Sequence, residues 1–417
     1  MTEEKHGKPL DPMIALRGRP LVLAMSIGEI GTLLPNFAFA ALTPTFIAVW
    51  GISNTEAGWI AGISAFGYMA AVPLLMSLTD RHDARLIFIA GAGLAVIANL
   101  VFALAADGFW SALLWRGLAG VGLAGTYMPG LRVLTDRDDS AEKSRAVTFY
   151  TASYSVGVSL SFLFTGLLAG IFGWRIGFAL LALGPLVALA IALLCVAGHR
   201  PKAGPRRPLF NFRPVFANRR ALGYILAYSA HGYELTAMRA WMVAFLGFAA
   251  TARGIGEDHG ATAIAAVFSV IGLPASVFGN ELSVRFGRLR VLIAIMTVSA
   301  LLGAVIGISP GLPYGIVVAL VLLYAVTCTA DSGSLTSGVI AVSSPEAQGA
   351  TIAVYSTLGF AAGFIGPLFV GIALDHAGGQ AAAGAWITAF LVIALGALTG
   401  PLALWLLGRE RPALEPV

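Results

Sequence analysis

Charge is scarce in this chain of 417 residues: only 11% are Asp, Glu, Lys or Arg, against about 25% in an ordinary soluble domain. That scarcity excludes a water-soluble fold. Cysteine is scarcer still. Cys195 and Cys328 lie in apolar runs with the spacing of neither a disulfide framework nor a zinc site, so a stapled secreted scaffold and a metal finger are excluded. The six histidines are scattered and join no His/Cys/Asp cluster, so neither a metal nor another cofactor is expected. The opening stretch, MTEEKHGKPLDPMIALRGRP, lacks the layout of a signal peptide, and the first apolar segment is expected to stay in the mature protein. What fills the chain instead is 58% hydrophobic residues, in many runs long enough for the ~20 residues that cross a hydrocarbon core.

Apolar runs between charged or Gly/Pro-rich breaks predict twelve membrane helices, at 21–50, 56–78, 86–106, 109–134, 145–170, 175–197, 221–249, 261–283, 289–308, 313–341, 348–373 and 385–407. On this map nearly all the 26 lysines and arginines fall on one side, with the N-terminal tail, the even-numbered loops and the C-terminus. Only Arg175 and Arg253 fall on the other, and Arg116 and Arg239 lie within spans. Excess positive charge marks the cytoplasmic side, so both termini are expected there, in the plasma (inner) membrane. The net charge of +5 is then explained by an anionic lipid surface, with no nucleic acid as partner. The stretch 198–220 is a basic, Pro-rich linker. It divides the chain into an N-terminal tail (1–20), a six-helix bundle (21–197), a second six-helix bundle (221–407) and a C-terminal tail (408–417).

The two halves echo each other. Glu29 and Glu234 lie mid-span on the first and seventh helices, and Ser140-Ala-Glu142-Lys-Ser-Arg145-Ala146 has a counterpart in Ser344-Pro-Glu346-Ala-Gln-Gly349-Ala350. Parallel repeats about an axis along the membrane normal follow. The loop after the second helix, Asp80-Arg81-His-Asp83-Ala-Arg85, and its counterpart Val284-Arg285-Phe-Gly287-Arg288-Leu-Arg290 are similar to the loop Gly-x-x-x-Asp-Arg-x-Gly-Arg-Arg of the major facilitator superfamily. In the fourth helix, Arg116-x-x-Ala119-Gly120-x-Gly122-x-Ala124 resembles a pattern of its proton-coupled members. The resemblance covers nearly the whole chain. It implies an all-α polytopic membrane protein of twelve helices in two pseudo-symmetric bundles, with Asp80, Arg81, Arg85, Arg285, Gly287 and Arg288 as cytoplasmic gating loops.

An ionisable residue inside a span costs ~2.5–3.5 kcal/mol at the bilayer centre and asks for a reason. Glu29, Arg116, His231, Glu234, Arg239 and Asp331 lie on the first, fourth, seventh and tenth helices. The resemblance implies that those four helices line the substrate cavity. Helical spacing extends the charges into stripes that add Asn36, Tyr127 and Trp241. Each has a second reading: Arg116 could lock its helix to a neighbour, Arg239 could snorkel to the interface, and Tyr127 and Trp241 could be core.

The expected function is secondary active transport of a small solute by alternating access, as symporter or antiporter, with a proton or ion gradient in place of a cofactor and a monomer as the working unit. Two intramembrane arginines invite an anion, a carboxylate or an oxyanion. A proton-coupled exporter of hydrophobic compounds is the alternative, and a channel or receptor is the reading from another class. An enzyme is not expected, since no nucleophile, metal or cofactor set is present. Gly120-x-Gly122-x-x-Gly125 has the spacing of a dinucleotide turn but sits inside an apolar span, with no strand before it. Its small residues instead predict a slim helix that neighbours approach closely.

Overall fold

The computed structural model describes residues 14–137, 143–199, 212–256, 260–344 and 347–408. The tail before Ile14, most of the linker (200–211), the C-terminal tail beyond Gly408, and the repeat motifs at Ser140 to Glu142 and at Pro345 and Glu346 lie outside the described residues. Among the described residues the secondary structure is helical, without a strand.

Helices cover every predicted span. The first is broken into α1 (Gly18–Leu33), α2 (Ala38–Ala41) and α3 (Thr43–Trp50), interrupted around Pro35. Next come α4 (Asn54–Thr79), α5 (Ala84–Ala105) and α6 (Phe109–Arg137). Helix α7 (Lys143–Leu181) contains a non-helical Gly173 at φ 78°, where the predicted fifth and sixth spans meet, and α8 (Leu183–Leu194) completes the sixth. The linker holds the short α9 (Arg213–Ala217). The second half comprises α10 (Arg219–Thr251), α11 (Ala261–Phe286), α12 (Arg288–Gly307), α13 (Tyr314–Ala330), α14 (Ser332–Val342), α15 (Gln348–His376) and α16 (Ala383–Leu407). Here the tenth span is the broken one, at Asp331.

Eight of these helical stretches are long and apolar enough to cross a membrane by length and composition, the continuous 145–194 among them. The predicted first, fourth and seventh spans miss that criterion, and they are the ones that carry Glu29, Arg116, His231, Glu234 and Arg239. Large apolar side chains such as Leu104, Trp110, Ile171, Val277 and Phe278 stand exposed around the outside, as a lipid-facing surface requires.

Each half is one bundle. In the first, α6 lies against α4 and α5, while α1 packs on α7 and α8. In the second, α16 joins α10 and α12, and α11 lies beside α13. The halves meet where α4 packs on α15 and α7 on α11. These are the second helix with the eleventh and the fifth with the eighth, a pairing that maps onto itself when the halves are exchanged.

The glycines of the fourth span serve this packing. Gly120 abuts the backbone of Ser64 on α4, while Gly125 faces Gly91 on α5 so closely that a Cβ on Gly125 would lie 2.7 Å from the Gly91 Cα. No side chain fits between those backbones. We expect Gly125→Leu to force α5 and α6 apart and to cost about 1–3 kcal/mol or more, measured as a drop in the unfolding midpoint of the purified protein. A melting curve unchanged from wild type would refute the close-packing role.

Candidate substrate cavity

The break in the first span organises the site. Proline has no N–H, and interruption of the helix leaves the carbonyls of Leu34, Pro35 and Asn36 without their usual intrahelical partners. Distant helices supply them. Arg116 on α6 donates from Nη1 to Pro35 O at 3.0 Å and Asn99 Oδ1 at 3.4 Å, and from Nη2 to Asn36 O. Ser161 on α7 donates to Leu34 O at 2.6 Å and accepts from Phe37 N at 3.1 Å. Arg116 therefore clamps a helix break, although it also borders a cavity between the halves.

That cavity has a volume of ≈ 70 Å³. Its polar lining is Asn36, Ser64, Tyr68, Arg116, Tyr154 and Thr236, and its walls include Phe39, Leu123, Phe360 and Pro367. The volume is far below the ~300–1,000 Å³ of drug-sized ligand sites. The centre is thus drawn together, in part by Tyr68 stacking on Phe360 across the halves with ring centroids 4.1 Å apart. A larger recess of ≈ 450 Å³ lies away from it, among Arg220, Tyr224 and Arg288 within the second half.

The other predicted residues divide by environment. Glu29 is fully buried on α1; its Oε2 accepts from Tyr150 Oη at 3.1 Å and Thr32 Oγ1 at 3.5 Å, while Oε1 has no partner. Tyr127 is half-buried, its ring 6.1 Å from that of Tyr150 and 5.3 Å from that of Tyr154. His231 and Asp331 pair with each other, Nδ1 to Oδ1 at 2.8 Å, and the His231 ring lies 5.7 Å from Tyr228. Glu234 faces α12 and α13 and is absent from the cavity lining. Arg239 is 7% exposed and its Nε is buried without a hydrogen-bond partner. Its guanidinium lies 5.5 Å from the ring of Phe37 in the first half, and Thr236 and Ala240, its neighbours on α10, line the cavity.

Of the nine residues expected to line the cavity, only Asn36 and Arg116 do so. Trp241 is absent from the cavity lining: it is buried in the core where α10 packs on α15, and it donates from Nε1 to Pro367 O at 2.9 Å. Arg85 is buried, donating to Ala192 O at 2.9 Å and Leu193 O at 3.0 Å, so it fastens α5 to the end of α8 within one bundle. Asp80 bonds Arg132 at 2.9 Å, again within the first half, and Arg81 is exposed. Arg285 is exposed above Phe286 at 5.2 Å, Gly287 takes φ 94° at the turn into α12, and Arg288 borders the recess of the second half.

Contacts joining the halves gather at the face opposite those arginines. Asp375, in the last turn of α15, accepts from Asn54 N at 3.1 Å, Asn54 Nδ2 at 2.7 Å, Thr55 N at 2.8 Å and Thr55 Oγ1 at 2.6 Å. Gln380 adds a bond to Asn54 Oδ1 at 2.7 Å. The first N–H groups of α4 are orphan donors at the positive end of a helix dipole, so a carboxylate suits them. Sequence reading missed this residue because the predicted eleventh span stops at 373; only the longer α15 places the carboxylate in a last turn, where it opposes the helix dipole and asks for a partner. Tyr150 and Asn99 were missed as well, Asn99 being a lone amide within an apolar run.

We expect Asp375→Ala to loosen this face. In a background with Cys195 and Cys328 replaced by alanine, a cysteine at Ser64 should react several-fold faster with a membrane-impermeant thiol reagent supplied from that side. An unchanged rate would mean that the bonds do not hold the halves together.

Two like helical bundles, sheathed in apolar side chains and closed over a small polar cavity with charged groups at its margin, define a polytopic membrane protein of two repeated halves. The sequence profile of the Major Facilitator Superfamily matches residues 25–252, and the chain belongs to that family. Among curated proteins it is similar to Protein spinster homolog 1 of Xenopus laevis, 24% identical over 216 residues, covering 49% of this chain and 41% of that one. It is also similar to the uncharacterised MFS-type transporter YcaD of Salmonella enteritidis PT4, 27% identical over 181 residues, covering 42% and 44%. The chain thus spans less than half the length of these two relatives. Among solved structures, a bacterial homologue of the human lysosomal transporter Spinster, inward-facing and occupied, superposes with a TM-score of 0.79 at 19% identity, covering 94% of this chain and 98% of that one. The nucleoside transporter NupG superposes with a TM-score of 0.72 at 13% identity, covering 94% and 100%. These likenesses establish the fold.

Proposed function

We propose that the protein is a proton-coupled secondary transporter of a small anion, a carboxylate or an oxyanion, in the plasma membrane with both termini in the cytoplasm. The observation that carries this reading is the state of the buried charges. Among the described residues neither Arg116 nor Arg239 meets a carboxylate, and Glu29 meets no cation. Charges buried in a membrane without partners are retained for something that binds them in turn. Arg239 at the cavity margin would take the anion, since Arg116 is already engaged by the helix break. Glu29, with one bare oxygen, would take the proton. The two halves, as the domains that move, would rock about the cavity, with the cytoplasmic side open when the Asp375 contacts are made. Arg81 and Arg285 would re-form contacts on the cytoplasmic face when the carrier turns over, and each chain would work as a monomer.

The test is flux in proteoliposomes under an imposed proton gradient, with labelled small carboxylates and oxyanions set against hydrophobic cations. Anion accumulation driven by the gradient is expected in wild type. In Glu29→Gln the accumulation should fall at least ~10-fold, because the neutral amide takes no proton through the cycle. Export of hydrophobic cations with no anion flux would instead support the drug-exporter reading, which the aromatic wall of Tyr68, Phe360 and Phe39 favours.

A further inference from the structure

Glu234 is 1% exposed and sits in a cage that the central cavity does not reach. Its Oε1 accepts two hydrogen bonds, from Ser299 Oγ on α12 at 2.6 Å and from Tyr324 Oη on α13 at 2.7 Å. Thr327 stands behind, donating to Ser299 Oγ at 3.4 Å. The second oxygen, Oε2, is buried and receives no donor. An ionised carboxylate offers acceptor sites on both oxygens, and leaving one bare in a low-dielectric interior is unfavourable. A proton on Oε2 removes the charge while the two hydroxyls still hold Oε1.

The surrounding charges leave this position to a proton. His231 on α10 is paired with Asp331 at 2.8 Å. Arg239 lies over Phe37 in the other half. The Cys328 thiol on α13 is buried among the same helices. Helix α12 bears charge only at Arg288 and Arg290, at its far end, and α16 has no titratable residue. On α15 the acid and base, Asp375 and His376, lie in the last turn, and on α11 Glu281 and Arg285 lie near the opposite end.

The first half contains a device of the same kind built from different helices. Glu29 has one oxygen under Tyr150 of α7 and the other bare, whereas Glu234 has its tyrosine from α13. We propose that Glu234, held by Ser299 and Tyr324, is a second proton-binding site enclosed within the second half and separate from the solute cavity. Each half then carries its own proton, and the proton on Glu234 is linked to the solute through movement of the bundles, without competition for a shared charge. The role in coupling rests on the proton-coupled reading above; the binding of the proton does not.

The test uses the full-length protein in lipid nanodiscs, without solute, and infrared difference spectra recorded as the pH is stepped. Two components of the protonated-carboxyl stretch are expected, one lost in Glu29→Gln and the other in Glu234→Gln. Tyr324→Phe should keep the Glu234 component but move its frequency, because one donor to Oε1 is gone. A spectrum unchanged in Glu234→Gln, or a single component lost in both variants, overturns the proposal. Should Glu234→Gln fail to fold, Tyr324→Phe and Ser299→Ala decide: a component that neither moves overturns it equally. Failure of proton-coupled transport would look different, as gradient-independent flux with both components intact.

Discussion

Arg116→Gln protein is expected to unfold at a much lower temperature than wild type, or to accumulate poorly in the membrane. The guanidinium satisfies Pro35 O, Asn36 O and Asn99 Oδ1 together, and a glutamine amide is too short and has too few donors to replace it. Pro35 O keeps a backbone bond from Ala38 N at 3.4 Å, and each of the other two buried acceptors left unpaired costs about 1–3 kcal/mol, so the loss is on the order of 2–6 kcal/mol. That is comparable with the ~5–15 kcal/mol stability of a whole domain. Arg116→Lys should rescue little, because an ammonium cannot span acceptors arranged for a planar fork. The measurement is the thermal midpoint of the purified protein by tryptophan fluorescence. A midpoint within a few degrees of wild type would show that the break in the first span is held by something else.

Arg239→Gln should do the reverse. Anion flux in proteoliposomes is expected to fall on the order of 100-fold, the loss of a charge-assisted contact worth ~1.5–3 kcal/mol in a dry site. Stability should hold or rise, since the substitution removes a buried guanidinium that, among the described residues, makes no hydrogen bond through its Nε and no ion pair. Arg239→Lys keeps the charge and should retain part of the flux. The two arginines are alike in the sequence and opposite in expected phenotype, so measuring both variants in both assays separates a structural role from a binding one. Loss of folding in Arg239→Gln together with normal flux in Arg116→Gln would reverse the assignment.

Much of the fold is legible in the sequence because a membrane imposes its rule locally. Every predicted span became helix, since an apolar stretch in hydrocarbon has no other way to satisfy its backbone. The clustering of ionisable groups on the first, fourth, seventh and tenth helices is a matter of counting along the chain. Breaks within spans were harder to read. Pro35 marks one, but Pro73, Pro129 and Pro367 lie inside continuous helices, so proline alone does not announce a break.

The environment of each charged side chain was less legible. Arg85 lies beside Arg81 in a loop that reads as a gate, yet it is buried against the carbonyls of α8, 107 and 108 residues away. Trp241 shares a helical face with Glu234 by spacing, yet its indole N–H is taken by Pro367 O, 126 residues on. Asp375 reads as a loop acid and turns out to receive four hydrogen bonds from the start of α4.

The sequence by itself determined that this protein crosses a membrane many times, that its two halves are alike, and which helices carry buried charge. Those properties follow from transfer free energy and helical period, which act over twenty residues or fewer. Only the tertiary structure decided that Arg116 is bound and Arg239 is not, that Glu234 is enclosed away from the cavity, and that Asp375 joins the halves. A buried polar group is defined by its hydrogen-bond partners, and here those partners come from positions 17 to 321 residues distant.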